Sequence, residues 1–277
     1  MRVAVIGCGS IGRRHIGNLL ALECDVYAYD PSETARMRAQ TDHPTARVFG
    51  LLGGDERYDA WVIATPYDQH LVFVEMAVAA RMPFFVEKPL GSLDQLPDWR
   101  RIAGGDLPVN QVGYQCRFNA EARALRAAIP APICGSFRVG CDMRTWPGGV
   151  YGPMLLELSH EIDLALWCGA PAQVDYASLS DTRAALRLGQ WFVMMDGRTA
   201  TYRRDWSLAN AQEGYQIAIS DPKELGEAMY RDELAHFLDC VRNQTPTAVP
   251  LADGLRVLEV CQQVEEATTE NVGNVWA

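Results

Sequence analysis

Residues 3–12, VAVIGCGSIG, run four apolar residues into three glycines spaced G-x-G-x-x-G, and Asp30 closes the next apolar run, VYAYD. This pattern describes a buried strand that turns directly into a helix. Gly7 permits the tight turn, Gly9 lets the backbone approach a pyrophosphate, and Gly12 lets helix pack on strand. The helix start at Ser10 and Ile11 offers unpaired N–H groups and a positive dipole end to phosphate. Asp30 lies eighteen residues past Gly12, at the end of a second strand, where a carboxylate accepts the hydroxyls of an adenine ribose. The competing reading is a glycine turn in another α/β protein, including one that binds S-adenosylmethionine.

The 277 residues allow two domains. A hydrophobic content of 48% with 22% charged residues is that of a globular chain. The net charge of −10 opposes nucleic acid and anionic membranes as partners. The first strand begins at residue 2 or 3, which leaves no room for a signal peptide. The apolar stretch LVFVEMAVAA is short and carries Glu75, so no membrane span is expected. None of the eight cysteines forms C-x-x-C or joins histidines at zinc spacing, so no metal site is expected. Reduced, buried thiols in a cytoplasmic protein follow, with Cys8 in the phosphate loop as the one expected to be open to alkylation.

Strands alternate with helices over the first 115 residues, which implies right-handed crossovers and a doubly wound parallel sheet. Within this half, Asp68 is read as the cap of a helix through LVFVEMAVAA, and Pro97 as an interruption of the helix that follows Ser92. Beyond residue 115 the chain reads as helix, long strand, a helix over GPMLLELSHEIDLALWCG, and then consecutive strands. Strands without intervening helices imply a largely antiparallel sheet, and Asp196-Gly197 is a hairpin signal. The expected domains are therefore residues 1–115 and 116–277, with the two closing helices able to pack back on the first.

Three segments could carry chemistry. In VIATPYDQH, Thr65, Pro66 and His70 follow the carboxyl end of a parallel strand, where such sheets bind ligands. In FFVEKPLG, Glu87 and Lys88 do the same, and Pro89 restrains Lys88 to an extended conformation. A partly desolvated lysine there is suited to exchanging a proton. In LLELSHEID, Glu157, His160 and Asp163 recur at three-residue steps, so neighbours share a helix face. A carboxylate beside a histidine suits general base work. Each segment alone reads more readily as surface or core structure.

Together, G-x-G-x-x-G-x-x-H from Gly7 to His15, the strand-end Asp30, the ATP…H segment, E-K-P and SHEID stand in the order of one family. The chain resembles the Gfo/Idh/MocA (glucose–fructose oxidoreductase / inositol dehydrogenase) oxidoreductases over residues 1 to about 170. The resemblance implies a Rossmann domain that binds a nicotinamide cofactor and a second, open-sheet domain for a sugar or cyclitol. Lys88 and His160 are then the catalytic residues, and GYQCRFN places Gln115 and Arg117 near cofactor and substrate. Position 156 is Leu where many members have Asp, which leaves Glu157 or Asp163 to support His160. Trp146 is a candidate platform for a sugar ring, and Arg144 a candidate anion contact.

The implied reaction is hydride transfer between nicotinamide and a secondary alcohol or ketone of a sugar, nucleotide sugar or cyclitol. Asp30 favours NAD over NADP because its carboxylate repels a ribose 2′-phosphate; Arg36 and Arg38 could moderate that preference. A homo-oligomer is implied by resemblance. The alternatives are a catalytically silent NAD-binding sensor or regulatory subunit, and a methyltransferase that would need only the glycine fingerprint.

Overall fold

A computed structural model of the chain describes residues 1–53, 57–145, 152–220 and 227–274. It divides into two compact units, Met1–Gly113 with Glu227–Leu255, and Tyr114–Gly226 with Arg256–Ala277. Among the described residues no helix is long and apolar enough to cross a membrane.

The first unit is a doubly wound sheet. Strands β1 (Arg2–Ile6), β2 (Asp25–Tyr29), β3 (Arg47–Phe49), β4 (Ala60–Ile63), β5 (Phe84–Glu87) and β6 (Asn110–Gly113) are all parallel, in the order β3-β2-β1-β4-β5-β6. Helices α1 (Ser10–Ala21), α2 (Glu33–Asp42), α3 (His70–Ala79) and α4 (Leu96–Ala103) make the crossovers. The strands are apolar runs because both sheet faces are covered: all four residues of β4 and of β5 are buried. Helix α8 (Glu227–Asn243) completes this core, where Leu234, Phe237, Leu238 and Val241 join Val5, Ile16, Leu19 and Phe85.

Two local readings change. Asp68 caps nothing: it lies in a 3₁₀ turn, Tyr67–Gln69, and α3 starts at His70. Pro97 does not interrupt α4 but sits in its first turn, where a missing N–H is harmless. A Ser92–Gln95 capping box precedes it.

The second unit is a mixed six-stranded sheet with helices. Helix α5 (Ala120–Ala128) leads into β7 (Cys134–Asp142); α6 (Met154–Glu157) and α7 (His160–Trp167) follow. Then come β8 (Tyr176–Leu179), β9 (Arg183–Leu188), β10 (Trp191–Asp196), β11 (Arg198–Asn210) and β12 (Gly214–Ser220). The order is β12-β11-β7-β10-β9-β8, antiparallel except where β10 runs parallel to β7. Helix α9 (Leu251–Asn274) starts in the first unit and ends in this one.

Asp196-Gly197 is therefore not a hairpin turn. β7 lies between β10 and β11, so Gly197 carries the chain across the end of β7, where the Met143 N–H donates to the Gly197 carbonyl. The expected helix through SHEID is likewise two helices, α6 and α7, separated at Leu158 and Ser159.

Candidate active site

In the first unit the carboxyl ends of β1, β4 and β5 emerge side by side at one edge of the sheet. Between β1 and β4 the winding reverses, which is where open α/β sheets bind ligands. Three features of that edge fit a dinucleotide. Gly7 has φ +101°, the left-handed region, and any Cβ on it would meet the Ala64 carbonyl at 2.5 Å. A Cβ on Gly12 would lie 1.9 Å from the Gly7 carbonyl, so helix and turn touch there directly. Gly9 differs from both, since a Cβ would meet nothing within 4 Å and its φ of −64° suits any residue. Folding does not require a glycine there, and the space in front of it is open, as close approach of a phosphate needs. Helix α1 then begins with no side-chain cap at Gly9, so its first N–H groups, at Ser10 and Ile11, are not met by a capping side chain.

Asp30 stands just past β2. Its carboxylate accepts the Cys8 N–H at 2.8 Å and the Ser32 N–H at 2.8 Å, which ties it to the glycine turn. Arg36 donates to the carbonyls of Asp30 and Pro31, so it stays beside the carboxylate, whereas Arg38 is exposed. Cys8 is fully buried, and burial together with the Asp30 charge pushes its thiol up to about 12. The expected alkylation site is an inert core residue.

The second crossing places Thr65 and Pro66 at the end of β4. The Thr65 hydroxyl is buried without a hydrogen-bond partner. His70, expected at the cofactor, is 1% exposed. Its Nε2 lies 2.9 Å from the Thr65 carbonyl, and its Nδ1 lies 3.1 Å from that of Pro89 and 3.3 Å from that of Leu90. Carbonyls only accept, so a neutral ring donates to one side at a time. Burial lowers its pKa. His70 straps the β4 turn to the E-K-P turn from beneath.

Lys88 is half-buried one residue past β5, and the Lys88–Pro89 peptide is cis. Lys88 and Lys223 are the two lysines among 25 Lys and Arg residues. That bias toward arginine everywhere else is a signal the motif reading did not use. Glu87, expected at the cofactor, is instead buried, its carboxylate accepting from His15 and from the Lys88 N–H.

In the second unit His160 opens α7 and is buried, edge-on to Tyr114 at 5.5 Å between ring centres. Glu157 ends α6 and is also buried. Asp163 is committed elsewhere: Arg117 donates to it through Nε at 2.9 Å and Nη2 at 2.6 Å, with both side chains buried. Arg117, expected near substrate, is thus held in a buried ion pair, which also occupies Asp163, one of the two acids considered for His160. Glu161 is held in the same manner by Arg204 of β11, with the Trp206 indole N–H also pointing at it, 3.5 Å away. Burial raises the Glu161 carboxyl and the Arg204 charge opposes the rise. These two pairs, absent from the motif reading, fix the helix that carries His160.

Gln115 is buried in the 3₁₀ turn Gln115–Phe118. Arg144 is exposed and donates twice to Asp142, at 2.8 and 2.7 Å, which holds the Asp142 carboxyl below its usual range. It borders an open pocket of about 690 Å³ with Pro153, Met154, Asp181 and Arg198. Trp146 lies outside the described residues.

Comparison with known proteins agrees with this architecture. Residues 1–103 match the model of the GFO_IDH_MocA oxidoreductase family, described by its NAD-binding Rossmann fold. The inositol 2-dehydrogenase of Leifsonia xyli is 30% identical over 247 residues, covering 82% of this chain and 72% of that protein. Among solved structures, a probable dehydrogenase from Thermotoga maritima aligns with a TM-score of 0.82 at 20% identity, over 98% of this chain and 97% of its own. The scyllo-inositol dehydrogenase of Lactobacillus casei, solved with NAD(H) and scyllo-inositol, aligns at 0.78 with 16% identity over 98% and 97%. These two structures are similar in fold.

Proposed function

The chain belongs to the Gfo/Idh/MocA oxidoreductase family, and from that membership we propose that it oxidises a secondary alcohol of a cyclitol, with inositol the first candidate. It is an NAD-dependent dehydrogenase acting on CH–OH groups. The glycine turn and the start of α1 would hold the pyrophosphate, and Asp30 the adenine ribose. The nicotinamide, when bound, supplies the hydride acceptor. Lys88 hydrogen-bonds the substrate oxygen and stabilises its developing negative charge. His160 takes the hydroxyl proton, and the buried carboxyl of Glu157 supports the imidazole. Asp30 accepts ribose hydroxyls and repels a 2′-phosphate, which makes NAD the preferred form.

The observation that carries this reading is Gly9, a glycine with neither strain nor a packed neighbour to explain it, on the same sheet edge as Lys88. Dissociation constants for NADH and NADPH, followed by a spectrophotometric screen of NAD⁺ with inositols, uronates and nucleotide sugars, test it. Tighter NADH binding and turnover of a cyclitol are expected. Equal affinity for the two cofactors refutes the role of Asp30, and turnover confined to nucleotide sugars refutes the cyclitol.

The reading includes a homo-oligomer. Tyr176, Phe192 and Ile217, each about half exposed or more, lie on one row across the second sheet through Arg187, Ser136 and Ser207. Three exposed apolar side chains on one row suit burial against a second copy. Sedimentation of wild type and Phe192→Glu checks it, and a monomeric wild type contradicts it.

A further inference from the structure

Glu87 is the meeting point of three elements of the first unit. His15 of α1 donates through Nε2 to Oε1 at 2.6 Å, both side chains being buried. The Lys88 N–H donates to Oε2 at 3.0 Å. Gly113 at the end of β6 opens the space, since a Cβ there would lie 3.0 Å from Oε2. His15 follows Gly12 by three residues, so it stands one turn into the helix that begins at the glycine turn. Its ring packs edge-on against Phe85 at 5.2 Å. Its Nδ1 has no hydrogen-bond partner, which leaves Nε2 as the ring's one polar contact in this corner.

Glu233 of α8 completes the cluster. It is fully buried and neither carboxyl oxygen has a hydrogen-bond partner. Burial first, and the Glu87 charge second, push its pKa well up. A leucine at position 15 would fill this core without desolvating a polar pair. Polar groups brought into a dry interior cost stability unless their partners are well placed. Here that cost supports one bond to the backbone of Lys88.

We propose that His15 is a positioning residue for Lys88: it holds the Glu87 carboxylate, and Glu87 fixes the backbone from which the lysine projects. The proposal rests on reading Lys88 as the group that meets the substrate oxygen. It joins the helix of the phosphate-binding turn to the strand end that bears the reacting side chain, through two hydrogen bonds.

The experiment compares His15→Gln with His15→Asn. A Gln amide nitrogen reaches the place of Nε2; an Asn amide stops near that of Nδ1, short of Glu87. Both remove the ring but Asn also loses volume, so the Glu87→Gln and Glu87→Leu pair is run beside them: a role in packing around His15 would leave the Lys88 resonance unmoved in both. Reductive ¹³C-methylation reports on Lys88 with little overlap, because the chain has two lysines. The Lys88 methyl resonance is expected to keep its wild-type position in His15→Gln and to move in His15→Asn. With NAD⁺ and myo-inositol as the probe, kcat of His15→Asn should fall about 10- to 100-fold, as for a small displacement of a reacting group, with KM changed far less. His15→Gln should recover most of that loss. Identical Lys88 resonances in wild type and folded His15→Asn overturn the proposal. Glu87→Gln keeps an acceptor for the Lys88 N–H and Glu87→Leu removes it, so this pair also decides if the His15 variants do not fold. A wild-type resonance in Glu87→Leu overturns the proposal equally. Should wild type be silent toward myo-inositol while the resonances behave as stated, the substrate reading fails and the positioning role stands.

Discussion

Lys88 and His160 are held by opposite means. Lys88 follows a four-residue strand whose place is set by parallel pairing with β4 and β6, and Glu87 adds a local bond to its own backbone. His160 opens an eight-residue helix, too short to be stable alone. That helix is fixed by Arg117–Asp163 and Arg204–Glu161, ion pairs between residues 46 and 43 positions apart. Backbone register tolerates most side-chain changes. Buried ion pairs do not, since losing one partner strands the other charge.

The largest expected effect breaks the second arrangement. Asp163→Ala leaves the Arg117 guanidinium buried without its carboxylate and should cost about 3–5 kcal/mol. Replacing both partners, Arg117→Met with Asp163→Leu, should cost clearly less. Urea titration of the three proteins checks this, and an additive double variant would show that the pair does not act as a unit.

A smaller effect probes the first unit's turn. Gly12→Val collides with the Gly7 backbone and should destabilise the fold as well as remove NADH binding. A Cβ at position 9 would meet nothing within 4 Å, so Gly9→Val should melt close to wild type yet bind NADH at least about tenfold more weakly, the loss of one charge-assisted hydrogen bond. Thermal melts and NADH titrations of both separate the two glycines, and a Gly9→Val protein with unchanged affinity would show that the turn is not a phosphate site. Asp30→Ala should erode the NADH preference by about 1–2 kcal/mol, read as the ratio of NADH to NADPH dissociation constants.

The smallest effect concerns pH. Glu233 has a raised pKa in the fold. Above the ordinary carboxyl value of about 4.3 the unfolded chain has released this proton and the native state has kept it, so stability falls as pH rises through that window. Glu233→Gln stays neutral throughout. It should match wild type near the ordinary carboxyl value of about 4.3 and melt increasingly above it as pH rises. Parallel melting curves at every pH would mean that Glu233 ionises freely in the fold.

This contrast also explains what the sequence could disclose. Buried parallel strands are unbroken apolar runs, so the order of elements through residue 113 was readable, as were the glycine turn and E-K-P. The reading failed where distant segments intervene. Asp196-Gly197 looks like a hairpin because nothing local announces that β7, some fifty residues earlier, lies between its strands. SHEID looks like one acid–histidine helix face, but two of its acids bind arginines on other elements. His70 and Cys8 looked accessible because burial by a neighbouring turn leaves no mark on either side chain. His15 was legible as a motif position, and its partner Glu87 was assigned to the cofactor instead.

The central claim is that Lys88 acts on the substrate while the glycine turn and Asp30 bind the cofactor. Turnover and NADH affinity of Lys88→Ala, measured on one preparation with the substrate the screen identifies, test it directly. The account predicts kcat lower by at least about 100-fold, with NADH affinity within about threefold of wild type, below the loss of one charged hydrogen bond. Turnover near that of wild type would contradict it and favour a cofactor-binding protein without this chemistry.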